Sequence, residues 1–497
     1  MAMKIRTIGK APILLVASLL MPFVITAASL PTEPLGGKPP AGAKQSVKDL
    51  DYQVKYQRAF EAVLWSMPAV GMYAYWHAAA DWGAGSNAII AWSKPSTPYM
   101  EGVTGNNQTP YILSQTDLSK GPVVLEVPAA TDKATLYGQV VDHWQISIAD
   151  VGPSGLDKGK GGKILFTPPG YTGKVPAGYV EVKSPSYRIT FAFRSIKSKT
   201  GTTADAYAYS KTLKMYYLSE LPTPAPTIFV DPAGTGKRWA ALPHFDERWF
   251  EDLHAIFSVE NARSTDTYMM GMLESLGIEK GKPYNPDEKT KKAMVQAVTD
   301  AYFYMQETFL KMAPSIAWWP DRHWADSMYT DQDRGFRFEK HDDTHQSIQI
   351  DPRAVHYFYG IYWPNKLSKQ PATQYLMAMA DKDGKALQAG QTYKLKVPKD
   401  MPVKQFWSLI VYDMETYSFI YSPQMLPGLS SLDNSETMQK DADGGVTLYF
   451  GPNAPKGLES NWIPTSGKKP FPVMRFYGGT KAFWDKSWKM PDVELVK

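Results

Sequence analysis

Residues 179–195 read YVEVKSPSYRITFAFRS, and their pattern separates a β-rich fold from a helical one. Apolar side chains recur at every second position in two stretches, as is typical of strands with one buried face. These residues are Val180, Val182, Tyr187, Ile189, Phe191 and Phe193. Similar runs bounded by Gly and Pro lie nearby: GPVVLEVP (121–128), KILFTPP (163–169) and LKMYYLSEL (213–221). Together they predict an antiparallel β-sandwich.

Helical patterns lie on both sides of this β-rich region. The stretch VKDLDYQVKYQRAFEAVLWSMPAVGMYAYWHAAADWG (47–83) has apolar residues at helical spacing, and Pro68 predicts a break into two helices. The stretch NPDEKTKKAMVQAVTDAYFYMQETFLKM (285–312) predicts a longer helix, capped by Asn285 with Pro286 at its first position. Its predicted buried stripe is Met294, Ala297, Val298, Ala301, Tyr302, Met305 and Phe309.

Strand patterns return near residue 324 and predict a second all-β domain, long enough for a jelly roll. The fold class is therefore mixed and mainly β. The predicted order is a signal peptide (1–28), a flexible leader (29–46), an N-terminal helical segment (47–97), a β-sandwich (98–221), a helical domain (222–323) and a C-terminal jelly-roll sandwich (324–497).

The N-terminus predicts export. Lys4, Arg6 and Lys10 precede an uncharged run, 11–27, and small residues follow, which is the layout of a secretory signal peptide. A membrane anchor is the alternative, but the run is short and contains Pro22. We therefore expect a periplasmic or secreted protein with no membrane span after cleavage.

Composition narrows the chemistry. The chain has no cysteine, which excludes thiol nucleophiles, thiolate zinc sites and iron–sulfur clusters. A net charge of +5 over 497 residues indicates no basic surface for nucleic acid. No Gly-x-Ser-x-Gly nucleophile motif is present.

The segment HDDTH (341–345) is the candidate metal site. His341 and His345 would share one face of a helix and could bind a divalent metal there, with Asp342 or Asp343 completing the site. On a strand the two histidines would lie about 13 Å apart, too far for one ion. The alternative is a solvated loop, so a metal cofactor is left open.

Two groups of residues are candidates for ligand binding. GNNQTPY (105–111) offers amide and hydroxyl groups that can bond to a polar ligand, although a turn capped by its own side chains is an equal alternative. The C-terminal strands add aromatic residues and an arginine, which suit an acidic or carbohydrate ligand unless they form core and an ion pair. The candidates are Asn106, Asn107, Gln108, Thr109, Tyr111, Trp407, Asn461, Trp462, Arg475 and Tyr477.

Several motifs resemble two families of domains of unknown function. VTGNNQTPYILSQTDLSKGPVVLEVP (103–128) and residues 157–189 resemble the family numbered 1254; residues 375–413, GPNAPKGLESNWIPT (451–465) and MRFYGG (474–479) resemble the family numbered 1214. The resemblance implies an exported bacterial protein with an immunoglobulin-like sandwich, a helical insert and a jelly roll, and it implies no activity. Many members carry Pro-Asn-x-Asp-Thr where this chain has Gln108, which cannot act as a general base.

Three functions remain open from the sequence. The first is binding, or processing without covalent chemistry, of a polar small molecule or glycan in a cleft between the β-domains. The second is a metal-dependent hydrolase that uses His341 and His345. The third is a structural or assembly protein of the envelope, and self-association is compatible with all three. The sequence leaves open whether the protein is an enzyme.

Overall fold

The computed structural model describes residues 36–327, 338–341, 344, 346–360 and 373–497, without the side chains of His341 and Gln346. The chain divides into two units. The first, residues 1–49, has no helix or strand in its described part, 36–49. The second, residues 50–497, contains every element below. The predicted signal peptide lies outside the described residues. No described helix is long and apolar enough to cross a membrane.

Twelve strands lie between residues 89 and 240. They are β1 (Ile89–Ala91), β2 (Met100–Glu101), β3 (Tyr111–Asp117), β4 (Val123–Val127), β5 (Ala134–Asp142), β6 (Ser147–Val151), β7 (Gly162–Thr167), β8 (Tyr179–Lys183), β9 (Arg188–Lys197), β10 (Lys214–Tyr217), β11 (Phe229–Val230) and β12 (Trp239–Ala240). One sheet has the order β11-β1-β3-β9-β5-β6 and a second has the order β10-β4-β7-β8, while β2 and β12 form a separate pair.

These two sheets enclose one apolar core, which confirms the predicted N-terminal β-sandwich. Successive side chains of a strand point to opposite faces, so alternate residues of β9 enter this core. Ile189, Phe191 and Phe193 are all buried there. Within these two sheets, neighbouring strands pair antiparallel except β1 with β11 and β7 with β8.

Seven α-helices occur in the described part of the chain: α1 (Leu50–Asp81), α2 (Thr203–Ser210), α3 (Arg248–Val259), α4 (Thr267–Glu274), α5 (Glu288–Met312), α6 (Ile350–Tyr359) and α7 (Lys481–Trp484). Buried residues of α1, α3, α4, α5 and α6 share a second apolar core. The predicted stripe of α5 is confirmed there, apart from Tyr302, which is half-buried.

Two predicted helix boundaries are wrong. α1 continues through Pro68, whose neighbours are fully buried, and Nε2 of Gln145 donates to the Pro68 carbonyl at 2.8 Å. Burial of this segment outweighs the hydrogen bond that proline removes. α5 is capped by Asp287 rather than Asn285, because Oδ1 of Asp287 accepts the backbone N–H of Thr290 at 2.7 Å.

A second sandwich follows, as predicted. The described strands of this region are β13 (Trp324–Asp326), β14 (Glu339–His341), β15 (Gln346–Ile348), β16 (Thr373–Ala378), β17 (Tyr393–Val397), β18 (Val403–Asp413), β19 (Gly428–Ser430), β20 (Val446–Gly451), β21 (Trp462–Pro464), β22 (Pro470–Gly479) and β23 (Glu494–Leu495). A five-stranded sheet, β13-β16-β22-β18-β19, and a four-stranded sheet, β21-β20-β17-β23, contribute to one apolar core. β14 and β15 pair separately. The predicted domain boundaries stay a prediction.

Candidate functional site

The GNNQTPY segment lies against the five-stranded sheet of the C-terminal sandwich. Nδ2 of Asn106 donates to the hydroxyl of Tyr477 at 3.1 Å, across 371 residues of sequence. Nη2 of Arg475 donates to the carbonyls of Thr104 at 2.8 Å and Gly105 at 3.2 Å. The structure thus brings together candidates from both ends of the chain. We call this place the junction site and define it by Asn106, Gln108, Tyr111, Arg475 and Tyr477.

Alternation along β16, β18 and β22 determines which side chains face the segment. The register places Tyr375 opposite Arg475, and Arg475 opposite Ser408. Residues in register on neighbouring strands point to the same face of a sheet, so these three share one face. Tyr477, two residues after Arg475, points the same way and stacks on Phe406 with ring centroids 3.8 Å apart.

Gly105 permits the close approach of the segment to the sheet. A Cβ atom at this position would lie 3.0 Å from two ring carbons of Phe419. Without a side chain, the Gly105 carbonyl accepts a hydrogen bond from the hydroxyl of Tyr412, which itself accepts from Nη2 of Arg475 at 2.6 Å. A glycine at position 105 therefore allows the backbone to approach the sheet this closely.

The side chains of the segment bond partly to one another. Oδ1 of Asn106 accepts the backbone N–H of Gln108 at 2.8 Å, and Oδ1 of Asn107 accepts from Nε2 of Gln108 at 2.8 Å. This is the capped turn that the sequence offered as an alternative. Oε1 of Gln108, however, is buried with no hydrogen-bond partner among the described residues. The turn therefore does not satisfy all of its own polar groups.

Thr109 and Tyr111 form the half-buried rim of the site. The guanidinium carbon of Arg194 lies 3.3 Å from the ring centroid of Tyr111, and Arg194 donates to the Thr109 carbonyl. The hydroxyl of Tyr111 accepts the backbone N–H of Asn106 at 2.8 Å. One ring face of Tyr111 is thus covered, and its hydroxyl is the group directed to the site.

Arg475 is only 1% exposed, and its Nε and Nη1 atoms have no hydrogen-bond partner among the described residues. Within the described residues, no carboxylate forms the ion pair that was considered from the sequence. Burial acts to lower the pKa of Arg475, but the surrounding tyrosines, Tyr412 and Tyr375 foremost, raise it, and the net shift is upward. The guanidinium is therefore charged at neutral pH.

Three other candidate residues lie elsewhere. Trp407 is on the opposite face of β18, inside the core of the C-terminal sandwich. Asn461 is buried, and its amide accepts from the Gln439 backbone N–H at 2.7 Å and donates to the Gln439 carbonyl at 2.8 Å. Nε1 of Trp462 donates to a backbone carbonyl at 3.0 Å.

The segment HDDTH begins in a strand. β14 ends at His341, which pairs with Gln346 at the start of β15, and this is not the helix that would place both histidines on one face. Asp342, Asp343 and His345 lie outside the described residues, as does the side chain of His341, so the metal site stays a prediction. Within the described ranges, no group of three or more His, Asp or Glu side chains is placed to hold a metal ion.

A second polar cluster lies where α1 and α3 meet the six-stranded sheet, and our sequence analysis missed it. Nε2 of His77 is 2.6 Å from Oδ1 of Asp252, and this hydrogen bond raises the pKa of His77. The ring of Tyr73 contacts the rings of His77 and His143, with centroids 4.9 and 6.3 Å apart, and Arg188 lies 5.0 Å from the Tyr73 ring. A histidine oriented by a carboxylate can transfer protons.

The only local signal for this cluster was the four-residue spacing of Tyr73 and His77, which places them one turn apart on α1. Asp252 is 175 residues further along the chain. Arg188 donates to the carbonyls of Ala255 and Ile256 at the end of α3, so it supports the helix rather than facing a ligand.

An open groove of about 260 Å³ lies on the N-terminal sandwich, away from both clusters. It involves the edge strands β6 and β8 and is lined by Ile148, Ala149, Asp150, Leu156, Glu181, Val182 and Lys183. None of these residues was a candidate, and the groove adds no acid–base pair to the chemistry above.

Comparisons with known proteins agree with the two-sandwich architecture. Two family models match, each described as a protein of unknown function: DUF1254 over residues 86–217 and DUF1214 over residues 372–481. The chain carries both domains, in that order. The junction site takes its segment from the DUF1254 match and its sheet from the DUF1214 match.

Two solved structures are similar to this chain, and the first of them supports the fold. The VPA0106 protein from Vibrio parahaemolyticus is 19% identical with a TM-score of 0.52, over 89% of this chain and 100% of its own. A putative uncharacterized protein from Burkholderia cenocepacia is 12% identical with a TM-score of 0.40, over 90% of this chain and 96% of its own. Comparison with the curated proteins gives no significant match. The comparisons therefore give two domain matches and a fold, and they give no function.

Proposed function

We propose that the protein binds a polar small molecule at the junction site, without covalent chemistry. The observation that carries this proposal is the meeting of Asn106 with Tyr477 and of the Gly105 backbone with Arg475. These groups come from two separate sandwiches and were candidates on chemistry alone. Polar groups that converge at a boundary between domains are the usual arrangement of a ligand site.

The side chains of the site favour binding over proton transfer. The groups of the site donate and accept hydrogen bonds: the side-chain amides of Asn106 and Gln108 and the hydroxyls of Tyr111 and Tyr477. Side-chain amides do not ionise near neutral pH. A small molecule is favoured over a glycan, because sugar rings bind on open aromatic faces. One face of Tyr111 is covered by Arg194, and Tyr477 stacks on Phe406.

Thermal unfolding in the presence of a panel of metabolites tests the proposal. We expect at least one polar compound to raise the melting temperature of the wild type. Tyr477→Phe removes only the hydroxyl that accepts from Asn106 and should reduce that shift. Tyr449→Phe is the matched control, since Tyr449 lies on β20 in the other sheet of the same sandwich. Equal shifts in both variants would place the ligand elsewhere.

The other functions predicted from the sequence keep their own tests. Metal content of the purified protein, residues 29–497, compared with a His341→Ala/His345→Ala variant, tests the hydrolase: metal in both or in neither would contradict it. Export and a role in envelope assembly also stay predictions.

A further inference from the structure

We propose that the ligand of the junction site is a small organic anion whose carboxylate pairs with Arg475. This inference rests on the binding function proposed above and adds the class of ligand. It starts from a buried positive charge that the described protein does not balance.

Three arginines of the described chain are buried, and two of them have acidic neighbours. Arg188 lies close enough to Glu260 to lower the pKa of that carboxyl. Asp266 and Asp142 act on Arg353 in the same way, each raising its pKa against the effect of burial. Arg475 is more deeply buried than either, and the described groups that most raise its pKa are tyrosines rather than carboxylates. Burying an unpaired charge is costly, so a buried arginine normally has a partner.

The tyrosines around Arg475 do not supply that negative charge. Burial raises the pKa of Tyr375 to about 12, and burial raises the pKa of Tyr412 further still. Both hydroxyls are therefore neutral near pH 7. Tyr412 accepts a hydrogen bond from Arg475, and its own O–H donates a hydrogen bond to the Gly105 carbonyl. Neither bond removes the net charge of the guanidinium.

The junction site has more donors than acceptors. The hydroxyls of Tyr111 and Tyr477 act as acceptors in the bonds they form, so each still has a proton to donate. Oγ of Ser408, opposite Arg475 in the sheet, is fully buried with no hydrogen-bond partner in the described structure. Nε and Nη1 of Arg475 add further donors without a partner among the described residues, whereas Oε1 of Gln108 is an acceptor without one and Oγ of Ser408 can act as either.

An excess of donors around one positive charge is complementary to an anion. A carboxylate offers two acceptor oxygens and one negative charge, which matches one guanidinium. A doubly charged phosphate would leave a buried negative charge unbalanced unless Arg194 at the rim supplied the second cation. We therefore assign the site to a monocarboxylate group rather than a phosphate.

Equilibrium dialysis with radiolabelled acetate, propionate and benzoate tests this assignment. The wild type should bind at least one of the three acids with a stoichiometry of one. Arg475→Met should weaken binding by about 30-fold or more, because the buried partner of the carboxylate is removed. Arg238→Met is the matched control, since Arg238 is exposed and pairs with Glu101 on the surface. Tyr477→Phe keeps the test informative if Arg475→Met does not fold.

The outcomes separate the ligand class from the binding function. Equal acid binding by the wild type and Arg475→Met would overturn the assignment. Binding of glycerol or glucose, but not of the acids, that is lost in Tyr477→Phe would also overturn it while leaving the proposed function intact. If neither the acids nor the neutral compounds bound to the wild type, both proposals would fail.

Discussion

The structure predicts that Glu260→Gln removes most of the stability loss that ionisation of Glu260 causes between acidic and alkaline pH. Glu260 follows α3 and is 2% exposed. Its carboxylate accepts the backbone N–H groups of Arg188 at 2.7 Å and Tyr187 at 2.9 Å. The guanidinium of Arg188 in turn donates to the carbonyls of Ala255 and Ile256, near the end of α3. Burial nevertheless raises the pKa of Glu260 to about 7, because the two N–H bonds do not replace the lost hydration.

The magnitude follows from that pKa. A rise from the ordinary value of 4.5 to about 7 corresponds to about 3 kcal/mol, at roughly 1.4 kcal/mol for each tenfold change. Because the folded-state pKa is raised, the protonated carboxyl favours the native state fully below about pH 4.5. This contribution is lost as the pH rises through about 7. Glutamine does not ionise, but its Nε2 cannot accept the second of the two backbone N–H groups, so the variant loses one hydrogen bond at every pH.

Denaturant unfolding of the wild type and Glu260→Gln at about pH 5 and about pH 8 measures the effect. We expect the variant to be less stable than the wild type by about 1–3 kcal/mol at the lower pH, and this difference to move by about 2–3 kcal/mol in favour of the variant at the higher pH. Glu279→Gln is the control, because Glu279 makes a surface pair with Lys282 worth little at either pH. The same difference between wild type and Glu260→Gln at both pH values would refute the reasoning.

Two further predictions concern the sandwich and the second cluster. Gly138→Ala would place a Cβ atom 2.2 Å from the Ala192 carbonyl oxygen and should lower the free energy of unfolding by about 3 kcal/mol or more, whereas Gly85→Ala, with open space around it, should change it by less than about 1 kcal/mol. Asp252→Asn removes the charge that holds the pKa of His77 above its ordinary value, so an NMR titration should show that pKa falling; an unchanged value would contradict the hydrogen bond seen here.

Much of the fold was predictable from the sequence, because it depends on local pattern. The alternation in β9 and the stripe of α5 follow from residues a few positions apart, and both are confirmed. The prediction of a helix break at Pro68 was wrong because distant residues override the local preference. Pro68 does not break α1, since the side chain of Gln145 and the surrounding core stabilise the helix there. No local pattern contains that contact.

The candidate site was predictable in chemistry but not in geometry. Side-chain type identified Asn106, Arg475 and Tyr477, which meet in the fold. The sequence did not distinguish Trp407 from its neighbour Phe406, because β18 is buried on both faces along most of its length and periodicity then does not mark which face is which. Phe406 stacks on Tyr477, while Trp407 faces the opposite core.

On the proposed function, the junction site adds a reason for both domains to occur in one chain. Each sandwich buries an apolar core of its own, and residues of the C-terminal sheet, such as Ile410 and Phe471, also pack with the helices in the second core. What the C-terminal sandwich lacks by itself is acceptors for Arg475, and the carbonyls of Thr104 and Gly105 supply them from the N-terminal half. A C-terminal domain without this segment would leave the guanidinium in water, where an organic acid binds weakly because charges are screened. On the proposed function, contact between the domains removes that screening and brings the donors together, so the shared site acts in addition to the packing of the C-terminal sheet against the helices.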